Sequence, residues 1–150
     1  QKKLPYMNRY DAIINVQGDM PDITVDIIKA IANGIFINDS PITTVYTKMN
    51  KDLQKDPNSV KLIHTHDKAH WFCRAGLEYG AHHLGVYGYT RQALSAYSKL
   101  HVCNEENIEK LEQLRWLQND YTMPVYEVKF NGMEINTPED LIEWHKQNSQ

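Results

Sequence analysis

At 150 residues, with 41% hydrophobic and 23% charged residues and a formal charge of −3, the chain has the size and balance of one globular domain with a real core. No Lys or Arg stripe offers a footprint for nucleic acid, and no apolar run approaches the length of a membrane span. The two cysteines, Cys73 and Cys103, lie far apart and outside any CxxC motif, so they read as free thiols in a reducing compartment with the cytoplasm as the expected location; a single disulfide is the alternative.

The start, Gln1-Lys2-Lys3-Leu4-Pro5, is neither a signal peptide nor a natural initiation site, and the chain is expected to be a piece of a longer protein. No repeat, low-complexity tract or Gly/Ser linker divides it, so residues 1–150 read as a single partial domain. Ala12–Val16 reads as a strand whose apolar run, Ala12-Ile13-Ile14, is of the kind buried on both faces in a parallel sheet. It leads into Gln17-Gly18-Asp19, beyond the carboxyl end of the strand, where open α/β sheets bind their ligands. A carboxylate at that place either caps the next helix or holds a hard divalent cation against a phosphate.

Thr24 caps an expected helix over 25–34 whose apolar face is Ile27, Ile28 and Ile31, with Gly34 suited to a left-handed terminus. Ile42–Thr47 is β-branched and reads as a strand, 48–59 as a loop or weak helix, and 60–64 as a short strand. His64, His66 and His70, among seven histidines, could suggest zinc, but they lack the remaining ligands of a site and read as a solvated strand end and loop. His82 and His83 are placed beside Arg74, where basic and hydrogen-bonding groups could hold an anionic substrate; a structural role is the other reading. The strand over 84–89 carries two glycines, a sign of close approach by a ligand or another backbone.

A short helix is expected over 91–100 and a longer one over 105–118, with Ile108, Leu111, Leu114 and Leu117 as its stripe and Glu112-Gln113 on the exposed side. Residues 125–130 alternate as a strand, with Tyr126, Val128 and Phe130 on one face. Thr137-Pro138-Glu139-Asp140 announces the final helix, with Asn136 in its cap region. Alternating strands and helices imply a mostly parallel or mixed α/β sheet. An α/β nucleotide-binding domain normally opens with a strand and a phosphate-gripping loop, and nothing of that kind precedes Asn15, so the sheet reads as incomplete at its amino end.

Asn15-Val16-Gln17-Gly18-Asp19, Trp71-Phe72-Cys73-Arg74, His83-Leu84-Gly85-Val86-Tyr87-Gly88-Tyr89, Leu111-Glu112-Gln113-Leu114-Arg115 and Asn136-Thr137-Pro138-Glu139-Asp140-Leu141 occur in that order. Together they closely resemble the 3-deoxy-manno-octulosonate cytidylyltransferases, the CMP-Kdo synthetases, over nearly the whole chain. The resemblance implies the nucleotide-diphospho-sugar transferase fold, a mixed sheet flanked by helices, in a homodimer with residues 84–100 near its interface. The implied reaction joins CTP and 3-deoxy-manno-octulosonate (Kdo) into CMP-Kdo and pyrophosphate for lipopolysaccharide, with Mg²⁺ as cofactor.

By the same resemblance Asp19 ligates Mg²⁺ and is catalytic together with Arg74, which pairs with the Kdo carboxylate. Gln17 shapes the sugar or nucleotide site, His83 and Tyr87 line the sugar pocket, and Glu112 and Gln113 bond the sugar hydroxyls. Asn136 stands where the family has its second metal ligand, an Asp; an amide oxygen brings no charge, so metal affinity should fall. The chain also departs from the family at Met20, at Cys73 in place of a serine, and in a shorter stretch between Arg74 and His83. The family's CTP-gripping amino-terminal part has no counterpart in the sequence, so this chain alone is expected to bind CTP poorly. The alternatives are a non-catalytic remnant that binds a sugar acid or dimerises, and a sialic-acid cytidylyltransferase.

Overall fold

The computed structural model describes residues 11–149, so the opening segment 1–5 lies outside the described residues. In chain order the elements are β1 (Ala12–Val16), α1 (Val25–Phe36), β2 (Ile42–Thr47), β3 (Lys61–Thr65), β4 (Lys68–Cys73), β5 (Ala81–Thr90), α2 (Arg91–Tyr97), α3 (Asn104–Glu109), α4 (Gln113–Gln118), β6 (Val125–Glu127) and α5 (Pro138–Asn148).

The strands form one mixed sheet in the order β4-β3-β5-β2-β6, with β1 also paired to β5. β5 is the hub: β2 runs along one edge, while β1 and β3 share the other, β1 beside Val86 to Thr90 and β3 beside Ala81 and His82. Among the described residues only β2 and β6 pair in parallel. The reading of β1 as a parallel strand buried on both faces is corrected here, since it is antiparallel to β5, partly buried through Ile14 and exposed at Asn15 and Val16. An apolar run reports burial but carries no information on strand direction.

Side-chain alternation along β5 separates two cores. Leu84 and Val86 join Val45, Met20, Ile27 and Ile31 on the α1 face. On the opposite face Ala81 joins Ile42, Leu62 and Phe72 against Ala93, Leu111, Leu114 and Trp116 of the α2–α4 region. α1 begins as expected, the Thr24 hydroxyl accepting from Ile27 N at 3.4 Å. Gly34, however, does not end it. The residue is buried inside the helix, where a Cβ would stand 2.8 Å from Thr43 Oγ1 and Tyr126 Cε2, so its role is close approach of α1 to the sheet.

The single helix over 105–118 is also corrected. Lys110 adopts the left-handed conformation (φ 58°) and splits it into α3 and α4, leaving Ile108 exposed while Leu111 and Leu114 are buried. Arg115 ties the two pieces together through a two-pronged pair with Glu106, Nε to Oε2 at 2.8 Å and Nη2 to Oε1. The 64–70 stretch proves to be a hairpin that turns at His66 (φ 52°) and continues as β4, with His64 Nδ1 at 2.9 Å from the His66 carbonyl. β6 is shorter than the expected strand, although Tyr126, Val128 and Phe130 do pack on one cluster. α5 starts in a full capping box between Thr137 and Asp140. Among the described residues no helix is long and apolar enough to cross a membrane, and both cysteines are free and buried.

Candidate active site

A cavity of about 650 Å³ opens where β1, β5 and the α3–α4 corner meet. Its floor is the face of β5 that carries His83, Gly85, Tyr87 and Tyr89, alternate residues of one strand. The β2–β5 register slips between Thr44 and Val45, so Thr44 stands opposite Tyr87 while Val45 stands opposite Leu84, and Gly85 and Val86 bulge between them. Bulges of this kind re-aim side chains beside functional sites. The bulge is covered from β1: a Cβ on Gly85 would meet the Gln17 amide oxygen at 2.5 Å, so glycine is what lets Gln17 lie across the strand.

His83 is buried, its Nε2 2.9 Å from the Thr44 hydroxyl and its ring edge-on to Phe72 at 4.9 Å. Burial first, and the neighbouring His82 second, push its pKa down to about 3, so the ring is neutral at physiological pH. The expectation of a basic histidine holding an anion is therefore corrected: His83 offers hydrogen bonds and no charge. Burial also raises Tyr87, with Tyr89 and Glu112 adding to it, and pushes Tyr97 up to about 12, so these phenols remain protonated.

Arg74 follows β4 and is anchored through both its backbone N–H and its guanidinium. Glu109 Oε2 accepts its backbone N–H at 2.8 Å, the Glu109 carbonyl accepts from Nε at 3.2 Å, and the Pro57 and Asn58 carbonyls accept from Nη1 at 3.2 and 3.0 Å. The 56–61 loop that supplies those carbonyls is itself pinned by the fully buried Lys61, whose Nζ donates to the carbonyls of Asp56, Ser59 (2.8 Å) and Arg74 (3.3 Å). The α3–α4 break puts Glu112 at the N-cap of α4 and Gln113 in its first turn, both on the cavity, with Gln113 buried.

The third wall is the turn after β1 and the segment before α5. Ile135 N donates to the Asp19 carbonyl at 2.8 Å and brings Glu134 and Asn136 to the same cavity as Asp19. Asp19 Oδ1 is buried there and has no hydrogen-bond partner. Asn136 also serves the helix cap, its N–H donating to Asp140 Oδ2 at 2.9 Å. Among the described residues no group of three or more His, Cys, Asp or Glu side chains could hold a metal by itself, so the triple-histidine hairpin has no site of that kind.

No protein-family model matches the chain. Over 143 residues it is 37% identical to the 3-deoxy-manno-octulosonate cytidylyltransferase of a Nitratiruptor species, covering 87% of this chain and 60% of that protein. The enzyme of the same name from Fusobacterium nucleatum is 36% identical, over 95% of this chain and 64% of the relative. The solved structure of a CMP:2-keto-3-deoxy-manno-octonic acid synthetase complexed with CTP superposes with a TM-score of 0.86 at 28% identity, over 95% of this chain and 63% of that one. The chain is a relative of the 3-deoxy-manno-octulosonate cytidylyltransferases. It spans about three fifths of the length of the curated cytidylyltransferases it matches.

A thymidylyltransferase structure from Bacillus anthracis, at 14% identity and a TM-score of 0.63, shares the fold alone. The cytidylyltransferase resemblance singles out Gln17, Asp19, Arg74, His83, Tyr87, Glu112, Gln113 and Asn136, and all of them line the one cavity. It does not single out Tyr89, Tyr97, Trp116 or Glu134, which line it too. Two-residue spacing from Tyr87 and from Asn136 would have found Tyr89 and Glu134. Nothing in the sequence marks Tyr97 or Trp116, which reach the cavity only through the packing of α2 and α4.

Proposed function

We propose that this chain carries the sugar-acid side of a cytidylyltransferase site, in which CMP passes from CTP to 3-deoxy-manno-octulosonate to give CMP-Kdo and pyrophosphate for lipopolysaccharide. The observation that carries this reading is the convergence on one cavity of eight side chains drawn from separate segments, in a chain whose curated relatives bear that enzyme name. The sugar's anomeric oxygen forms a bond to the α-phosphorus, the bond from that phosphorus to the bridging oxygen breaks, and pyrophosphate leaves as the hydroxyl proton is lost.

Arg74 has Nε and Nη1 occupied by carbonyls, so Nη2 is the edge it presents to the sugar carboxylate, a charge-assisted contact on an arm that cannot swing away. Glu112 and Gln113 accept from and donate to sugar hydroxyls, and the neutral His83 and the protonated Tyr87 shape the pocket between them. Asp19 and Asn136 would hold Mg²⁺: both are hard oxygen donors on the same wall, and the buried, unpartnered Asp19 Oδ1 fits a cation. When bound there, Mg²⁺ neutralises phosphate charge. A homodimer in the cytoplasm, with residues 84–100 near the shared face, completes the reading, and light scattering tests the dimer.

Pyrophosphate release from CTP tests the activity, with Kdo as the acceptor and N-acetylneuraminate as the competing sugar acid. The 8-amino-3,8-dideoxy analogue is a further arm, because a Shewanella relative named for that substrate is 35% identical. Release with Kdo is expected from the longest natural form of the protein, and no release with any sugar acid would sink the enzyme reading. Asn136→Asp should raise Mg²⁺ affinity roughly tenfold, in line with one added charge in the site. Calorimetric titration with Mg²⁺ alone reads this without turnover, and unchanged affinity would remove Asn136 from the metal site.

A further inference from the structure

The Thr44 hydroxyl sits wholly buried at the β5 bulge with three polar neighbours, the Val86 carbonyl at 2.7 Å, the Leu84 carbonyl at 3.4 Å and His83 Nε2 at 2.9 Å. Carbonyl oxygens only accept, and a hydroxyl has one proton to give. The short contact to Val86 claims that proton, with Leu84 as a weaker shared acceptor. The contact to His83 is then a hydrogen bond only if Nε2 carries a proton and donates. A neutral imidazole has a single N–H, so Nδ1 is left as a bare acceptor.

Three features lock this state. The bulge takes Gly85 and Val86 out of the regular β2–β5 pairing, and the Val86 and Leu84 carbonyls on either side of Gly85 both face the Thr44 hydroxyl. The imidazole is clamped by Phe72 at 4.9 Å and Tyr87 at 5.3 Å between ring centres. Burial keeps the ring neutral.

We propose that Thr44 is a positioning residue for substrate recognition: by holding His83 in the Nε2–H tautomer it makes Nδ1 a hydrogen-bond acceptor for a hydroxyl of the sugar acid. The inference rests on the sugar-acid reading above and adds a rule of orientation to it. An uncharged acceptor repels a carboxylate, which is itself only an acceptor, so His83 turns the acidic end of the ligand away and leaves it to Arg74. A substrate hydroxyl can donate to Nδ1, and a ligand with an ether or a hydrogen at that position cannot.

The experiment is ¹⁵N-histidine NMR on the whole chain, followed by titration with Kdo. The wild type should show His83 as the neutral Nε2–H tautomer from pH 5 to 8. Thr44→Val removes the hydroxyl while keeping the β-branched shape, and should release the tautomer and weaken Kdo binding about tenfold, the scale of one lost hydrogen bond. Thr44→Ser should restore both. In the longest natural form of the protein Thr44→Val should raise KM for Kdo and leave kcat and KM for CTP nearly unchanged. An Nδ1–H or protonated His83 in the wild type would overturn the proposal, as would a Thr44→Val protein with unaltered tautomer and affinity. The wild-type spectrum decides even where Thr44→Val does not fold. A wild type with the Nε2–H tautomer that binds no Kdo overturns the sugar-acid reading and the substrate half of the proposal, and leaves the Thr44–His83 geometry supported.

Discussion

Enclosing the His83 ring between Phe72 and Tyr87 costs the protonated imidazole far more than the neutral one, which is why its pKa lies at about 3. The same histidine in the unfolded chain titrates near the ordinary histidine value of 6.5. Between those values the unfolded state holds a proton that the native state lacks, so stability rises with pH across the window. The contribution is complete above about pH 6.5 and is lost as pH falls toward 3, on the order of a few kcal/mol in total. Urea denaturation at pH 7 and pH 4.5 should show a larger acid loss for wild type than for His83→Gln. Equal losses would place the acid sensitivity on other groups. Under the proposed sugar-acid reading the tuning would also serve recognition, since a charged imidazole in this position would compete with Arg74 for the carboxylate.

Along β5 two glycines separated by three positions do different work, and substitution should split stability from binding. A Cβ on Gly88 would stand 2.6 Å from Ile31 Cγ2 and 3.0 Å from Ile35 Cγ1, groups fixed in the α1 core. Gly88→Ala should therefore cost about 1–3 kcal/mol of stability, the usual range for overpacking. At Gly85 the clash is with the end of the Gln17 side chain, which can move aside. Gly85→Ala should leave the urea midpoint nearly unchanged and weaken Kdo binding by displacing Gln17 from the cavity; the reverse pattern of losses would show that the roles are misassigned. Both glycines were visible in the sequence as an interruption of a strand. Which neighbour each one admits was not, because that depends on α1 folding over one face and the β1 turn over the other. The same limit explains the misreadings of β1 and of the 105–118 helix. Of the stripe expected over 105–118, Leu111 and Leu114 are buried and Ile108 is exposed, while the buried Glu106, Gln113 and Trp116 fall outside it; strand direction and the left-handed Lys110 are set by partners distant in sequence. The site was legible by contrast, since its ordered segments could be matched to a family without knowing how they meet.

Across the whole molecule the last segment is held to the sheet by few bonds, and those bonds position one wall of the cavity. α5 buries no residue fully. Asp22, in the turn between β1 and α1, accepts from Met133 N at 3.1 Å and from Trp144 Nε1 at 2.9 Å. Gly132 lies so close that a Cβ there would be 2.3 Å from the Asp22 Cβ. Ile135 N donates to the Asp19 carbonyl at 2.8 Å and Glu134 Oε1 lies 3.6 Å from His82 Nε2, contacts that help place Glu134 and Asn136 on the cavity. Asp22→Ala removes two acceptor contacts at a site remote from the β5 core, so global stability should fall by only about 1–2 kcal/mol. Local opening should respond far more, because a segment with little buried apolar surface depends on its polar anchors. Hydrogen exchange in residues 133–148 should accelerate at least tenfold while β5 amides keep their protection, and Trp144 emission should shift to the red. If Asp19 and Asn136 hold Mg²⁺ as proposed, its affinity should drop in the same variant without any change to Asp19 itself. Uniform acceleration across β5 and the last segment would mean that Asp22 holds up the whole fold, and unchanged exchange in 133–148 would mean that the segment is anchored by other contacts.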